Sequence, residues 1–296
     1  MDDTLKAMLD KYASSLAGSE YVANAYVKEA MKFLEYSGGD LSKKRVEDYM
    51  RKLRTDGYAD GTIRKVFGII RRLYRVNGVE WPFRRSEGPV VRELEVFAPA
   101  LSNDVIKAMI VAATSGALDE LESAFLAIST TYGPRRTEMS SLTRERIDIA
   151  NRLIYFETAK YGRQRWHIIP DEIVPYLERC TFKRIPSSTL TKIYHRIESK
   201  VGLPNMYEVG WHAIRRALNR NLVHAGLPEP VIMNFLRWKR STMNMVSLYH
   251  STTVIGIDGR VTDIAITDRE VDMQVFAVHP FLPMWGGGDS AQTEAV

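Results

Sequence analysis

The stretch EVGWHAIRRALNRNLVHAG, residues Glu208 to Gly226, decides how the chain is read. At about 100° per residue, Ile214, Leu218, Leu222 and Ala225 fall on one core-facing stripe. His212 and Arg215, three positions apart, share a neighbouring face, with Arg216 beside them. A helix of this pattern either aims its cations at something or merely solvates them, and the stretch alone leaves both open.

Outward from that helix, the chain has 296 residues with 45% hydrophobic content, enough for two domains that each bury a core. Its start, MDDTLKAMLD, is acidic and lacks the basic and apolar regions of a signal peptide, and no apolar run is long enough to span a bilayer. An intracellular protein with no membrane partner is expected. The single Cys180 excludes an internal disulfide framework, and the six histidines show no metal-ligand spacing, so no metal is expected. The net charge of +5 hides an asymmetry. Residues 251–296 hold two bases and seven acids, against 39 bases and 29 acids in the rest. A basic body with an acidic end points to an anionic partner and a screening tail.

Three amphipathic helices are predicted near the start. SEYVANAYVKEAMKFLEYSGG begins at the N-cap candidate Ser19 and stops at Gly38-Gly39, and SKKRVEDYMRKLRTDG runs from Ser42 to Gly57. The third, DGTIRKVFGIIRRLYRVNG, puts Ile63, Val66, Phe67, Ile70, Leu73 and Tyr74 on one stripe. Arg64, Lys65, Arg71, Arg72 and Arg75 gather opposite, with no acid among them. A solvated helix surface is one reading. With Lys43, Lys44, Arg45, Arg51, Lys52 and Arg54 on the preceding helix, a small domain that straddles the phosphates of a nucleic acid is the favoured one.

Pro82, Gly88 and Pro89 then interrupt the periodicity, which sets the basic helical domain at residues 1–85, a linker at 86–98 and a second domain from 99, read to 250 with an extension at 251–296. Ser102 and Asp119 read as N-caps of two helices, the second ending at Gly133. IDIANRLIYFETAKYGRQRWHIIP alternates like strands, with turns at Ala150-Asn151-Arg152 and Tyr161-Gly162-Arg163, and helices continue to about residue 250. The fold class is therefore mainly α with a small antiparallel β-sheet. No internal repeat, Gly-rich phosphate loop or GxSxG elbow occurs.

The order GPRRTE, then a hairpin lysine in AKYGRQR, then HAIR, then a tyrosine in MVSLYH resembles the tyrosine recombinase (phage integrase) family over residues 1 to about 250. Each motif is weak alone; the order is the specific part. The resemblance implies a helical core-binding domain and an α+β catalytic domain. It assigns Arg135 as the first active-site arginine with Glu138 supporting it, Lys160 on the hairpin, His212 and Arg215 on the helix at 208–226, and Tyr249 as nucleophile. It further implies a homo-oligomer, four protomers cooperating on paired DNA sites, without cofactor.

The chemistry explains why such groups would converge. Phosphodiester transfer builds charge on non-bridging oxygens, which two guanidiniums can bind, and this suits Arg135 and Arg215. A phenol is a poor nucleophile at neutral pH, so Tyr249 needs an acceptor such as His212, and the leaving 5′-oxygen needs a proton, which Lys160 can give. One departure stands out. The family places His or Trp, usually within LGH, nine residues before the nucleophile; here the stretch reads LRWKRSTMNMVSLY. Arg240 has that spacing and Trp238, eleven residues upstream, has the chemistry, since an indole N–H can donate to a phosphate oxygen. Trp238 is favoured. The competing activities are a type IB topoisomerase-like nicking and closing enzyme and a DNA-binding regulator without chemistry.

Past the tyrosine, Asp258-Gly259 between apolar runs predicts a hairpin to about Ile266. The apolar, Pro-interrupted FAVHPFLPMWG reads as a docking peptide rather than a core element. The expectation is that Phe276, Phe281, Leu282 and Trp285 dock on a neighbouring protomer, with packing on the same domain as the alternative, and that Asp258, Asp263, Asp268, Glu270 and Asp272 can occupy the basic channel.

Overall fold

The computed structural model describes residues 3–17, 20–89, 99–158, 164–204, 209–238, 253–255, 261–263 and 268–286. The chain divides into two compact units, Met1–Val96 and Phe97–Val296. Among the described residues no helix is long and apolar enough to cross a membrane.

The first unit is four helices, α1 (Asp3–Ser14), α2 (Glu20–Ser37), α3 (Lys43–Thr55) and α4 (Asp60–Asn77). Helix α3 starts where Ser42 accepts the Arg45 N–H, and α4 stops at Gly78, whose φ of 71° suits glycine. Ile63, Val66, Ile69, Ile70, Leu73 and Tyr74 of α4 are buried, each contributing on the order of 2 kcal/mol. The expected stripe therefore holds, with Phe67 half-buried at its edge and Ile69 added. Helix α1 is an addition to the three expected helices. Leu5, Leu9 and Tyr12 bury against α2 and α4, and the expected cap Ser19 lies outside the described residues.

The second unit is mainly helical with a small sheet, as its pattern of residues predicts. Helices α5 (Asn103–Thr114) and α6 (Glu120–Tyr132) are capped by Ser102 and Asp119, and α6 ends on Gly133 at φ 51°. Ser123 through Tyr132 are all buried, so α6 is the axis of the domain. Helix α7 (Arg136–Ser140) precedes strands β1 (Ile147–Asp148), β2 (Leu153–Phe156) and β3 (Arg165–Ile168), which form an antiparallel meander with Ile147 opposite Ile154 and Phe156 opposite Arg165. The turn into β2 has Arg152 at φ 57°. The second expected turn, at 161–163, lies outside the described residues. Helices α8 (Val174–Arg179), α9 (Ser187–Lys200), α10 (Trp211–His224) and α11 (Glu229–Phe235) complete the bundle.

Beyond residue 250, β4 (Thr253–Ile255) pairs antiparallel with β5 (Val261–Asp263), and helix α12 (Asp268–Phe276) packs on α11 and β3. The docking-peptide reading of residues 276–286 is corrected by the structure. Phe281, Leu282 and Trp285 are buried in the core of their own domain and Phe276 packs against it. The cause is polar as well as apolar. Trp285 Nε1 donates to Thr130 Oγ1 at 3.0 Å, and His279 Nε2 donates to the Thr131 carbonyl at 2.9 Å, so the tail satisfies polar atoms of the buried α6. Phe281 and Leu282 N–H donate to His279 Nδ1 at 3.2 and 3.0 Å, which makes this histidine neutral with its proton on Nε2. Burial holds its pKa down to about 4.

Candidate active site

Gly133 opens the site. Its left-handed backbone turns the chain off α6, and a Cβ there would meet Leu218 and Leu236 at 3.2 Å and Arg215 Cγ at 3.3 Å. Arg135, two residues on, caps α7. Its N–H donates to Glu138 Oε2 at 2.9 Å and its Nη1 to Glu138 Oε1 at 2.7 Å, while the side chain stays 23% exposed. Glu138 itself is fully buried. Burial alone would raise its carboxyl, but Arg237, Arg215 and the two Arg135 donors outweigh it and hold the group below the usual range.

Arg215 reaches the same place from α10. It is nearly buried, donates to the carbonyls of Gly133 and Leu236, and lies 5.7 Å from the Trp238 ring. His212 sits one turn earlier with an exposed edge. Partial desolvation, then repulsion by Arg215, Arg216, Arg135 and Arg136, holds its pKa below the usual histidine value. A groove of about 330 Å³ runs beside it, lined in part by Arg136, Thr191, His195 and Arg216. Trp238 is half-buried against the core, and its main-chain N–H donates to the Met233 carbonyl at 2.9 Å. Lys160, Arg240 and Tyr249 lie outside the described residues.

Sequence reasoning missed the residue at the centre. Arg237 is fully buried at φ 57°, in the middle position of LRW. Its Nε and Nη2 donate to Glu138 Oε2 at 3.2 and 3.1 Å, Nη2 also to the Tyr132 carbonyl at 3.2 Å, and Nη1 to the Phe235 carbonyl at 3.1 Å and to His167 Nε2 at 2.8 Å. All five N–H groups are used, and the guanidinium lies 4.5 Å over Phe156. The sequence carried one signal: arginine stands where the resembling motif has glycine, a position suited to positive φ.

Behind Arg237, His167 Nδ1 faces Asp272 Oδ1 at 2.9 Å, and Arg165 Nη2 donates to the same oxygen at 2.6 Å. The Ile168 N–H donates to Asp272 Oδ2 at 2.8 Å. Burial raises the Asp272 carboxyl, with Arg165 and the Ile168 N–H opposing it. With three donors on its two oxygens the group serves as acceptor. Burial and the two flanking arginines keep His167 neutral. Asp272 is therefore an internal counter-ion, which corrects its assignment to the basic channel. The site proper gathers Arg135, Arg215 and Arg237 around the single carboxylate of Glu138, an excess of positive charge suited to an oxyanion.

The basic face of the first unit divides in the structure. Arg64, Lys65, Arg71 and Arg75 are exposed, and among the described residues none has an ion pair; Lys65 lies over Tyr26 at 5.2 Å. Arg72 is not part of the open face: it is half-buried and donates to the Ser15 carbonyl, because the unforeseen α1 packs there. On α3, Lys43 pairs with Glu87 at 3.0 Å and covers Phe83, Arg51 pairs with Asp48, and Lys52 with Asp56, while Lys44 is exposed.

Residues 99–253 match the family model described as the phage integrase family. A tyrosine recombinase XerA of Thermococcus kodakarensis is 24% identical over 258 residues, 80% of this chain and 86% of that protein. Among solved structures, a Tn1549 transposon integrase in complex with circular intermediate DNA superposes with a TM-score of 0.62 at 13% identity, covering 85% of this chain and 96% of that one. A lambda integrase dimer bound to a COC′ core site gives 0.61 at 16% identity, covering 83% and 76%. At these identities the structural likeness establishes the fold.

Proposed function

The chain belongs to the phage integrase family, and on that premise we propose that it cleaves and rejoins double-stranded DNA at specific sites through a 3′-phosphotyrosyl intermediate on Tyr249. The observation that carries the reading is the meeting of Arg135 and Arg215, 80 positions apart in sequence and held on different elements, at one buried carboxylate and two main-chain carbonyls. Such a clamp is fixed before substrate arrives, so charge developing on the non-bridging oxygens meets donors that need no reorganisation.

In the proposed step, the Tyr249 oxygen bonds to phosphorus as the bond to the 5′-oxygen breaks. The phenolic proton passes to His212, whose lowered pKa keeps it neutral and able to accept. The departing oxygen takes a proton from Lys160, and Trp238, stacked by Arg215, offers its indole N–H to a phosphate oxygen. Attack by another strand's 5′-hydroxyl reverses the step, so the bond energy is kept and no cofactor is needed. Arg64, Lys65, Arg71 and Arg75, with Lys44, hold phosphates of the duplex, and four protomers act on two sites inside the cell.

A nicked suicide duplex tests this. Wild type should accumulate an SDS-resistant protein–DNA adduct and Tyr249→Phe none; an adduct that survives the substitution moves the nucleophile elsewhere. Exchange between two paired sites separates recombination from nicking and closing of one site, and absence of any adduct with intact binding would leave a DNA-binding regulator.

A further inference from the structure

His167 joins two groups from opposite ends of one stretch of chain. Arg237 lies just before residues 239–267 and Asp272 just after them, and Tyr249 falls between. Nη1 of Arg237 donates to His167 Nε2, so that nitrogen carries no proton. The ring proton is therefore on Nδ1 and is donated to Asp272 Oδ1. This tautomer follows from donors and acceptors alone. The run continues from Arg237 to Glu138 Oε2, and from the two Glu138 oxygens to the main-chain N–H and Nη1 of Arg135. Every member but Arg135 is buried.

We propose that His167 and Asp272 are positioning residues for the arginine clamp, tying both flanks of the tyrosine-bearing stretch to Arg135 through Arg237 and Glu138. The proposal rests on the recombinase reading. Asp272 fixes the imidazole proton on Nδ1. Without that acceptor the ring is free to carry its proton on Nε2, where it would face the Arg237 Nη1 donor with a second donor. Arg237 must then shift, and Glu138, which it shares with Arg135, shifts with it. The segment after the nucleophile is thus a working part of the clamp on the same chain, and Arg165 holds it there through the Asp268 carbonyl at 2.5 Å and the Asp272 carboxylate.

The substitution Asp272→Asn keeps the shape, removes the charge and turns one acceptor oxygen into an N–H₂ donor, which must then face either the Ile168 N–H or the His167 and Arg165 donors. Single-turnover cleavage of the suicide duplex should fall on the order of 10²-fold, the cost of misplacing a reacting group by about 1 Å, with DNA affinity unchanged. In an Arg135→Lys background the further loss should nearly vanish, since both changes act through one group. In DNA-free protein, nitrogen relaxation of the Arg135 Nε–H should show a more mobile guanidinium in Asp272→Asn than in wild type. As a second pair, His167→Gln, which keeps a donor at one end and an acceptor at the other, should retain most cleavage, and His167→Leu should lose it. A folded Asp272→Asn protein with an equally rigid Arg135, or a cleavage loss additive with Arg135→Lys, overturns the proposal while leaving the recombinase reading intact. Wild type that cleaves no duplex, with the Arg135 loosening still seen in Asp272→Asn, overturns the recombinase reading and leaves the positioning role standing.

Discussion

Replacing Arg237 by glycine sets two opposed effects against each other at one position. Arg237 adopts φ 57°, where an L-residue with a Cβ is disfavoured by about 1–2 kcal/mol, so glycine relieves strain. The same change removes a buried guanidinium that donates twice to Glu138, and leaving a buried charge short of its partner costs about 3–5 kcal/mol. Glu138 keeps its two Arg135 donors, which places the loss at the lower end of that range. The net expectation for Arg237→Gly is a destabilisation of roughly 1–2 kcal/mol. In a unit of this size, that lowers Tm by roughly 2–8 °C. Thermal unfolding followed by circular dichroism, with urea unfolding at one temperature as a check, measures it. A variant equal to wild type or more stable would mean that strain relief outweighs pairing, and the reasoning that makes Arg237 the keystone of Glu138 would be wrong.

Three further outcomes are expected. Gly133→Ala forces a left-handed alanine against Leu218, Leu236 and Arg215, a combined cost of roughly 2–4 kcal/mol that calorimetry should read as a large fall in Tm; a shift within error refutes the close approach. Because the folded-state pKa of His279 is held to about 4, the unfolded chain binds more protons than the folded one between pH 6.5 and 4, and stability is lost as pH falls through that window. The stability difference between wild type and His279→Gln should therefore narrow by about 3 kcal/mol between pH 7 and pH 4; a difference independent of pH contradicts the neutral, buried assignment. Arg75→Ala should reduce the slope of log K against log salt for DNA binding by about 0.9, whereas Arg72→Ala should lower stability and leave the slope alone, and equal slopes for Arg75→Ala and wild type would remove the exposed face from the interface.

The fold was legible where one period dominates. Helix α4 has an unbroken apolar stripe and α6 is framed by Asp119 and Gly133, so pattern and caps agree with what packs. The tail was misread because Pro280 and Pro283 break any period, and its burial depends on His279 and Trp285 finding Thr131 and Thr130 on a helix some 150 positions earlier. No local pattern encodes such a pairing. The first-unit basic face was overcounted for a related reason: Arg72 belongs to it by phase, but its side chain is held at the carbonyl of Ser15, just past the end of α1.

At the site, Arg135, Glu138 and Arg215 could be picked out as part of an ordered set and the structure brings them together, whereas Arg237, His167 and Asp272 behind them carried no such pattern. Arg165 and His167 alternate with the exposed Trp166 along β3, which in sequence looks like a polar strand face. Their burial makes sense only once Asp272 arrives from α12, and Asp272 in turn reads as one more acid of an acidic tail. Arg237 is the informative case. A glycine in the middle of LGH satisfies the backbone and leaves the space beneath it to other side chains; an arginine there must take a strained φ and find acceptors in the core for every N–H. It finds them in Glu138, His167 and the carbonyls of Tyr132 and Phe235, and His167 is able to accept only because Asp272 takes its proton. The departure at Arg237 and the acid at Asp272 are therefore coupled: restoring glycine at 237 should make Asp272→Asn nearly harmless to cleavage, while in the arginine background it is severe. Equal losses in the two backgrounds would show that the tail helix supports the site by some route other than Arg237.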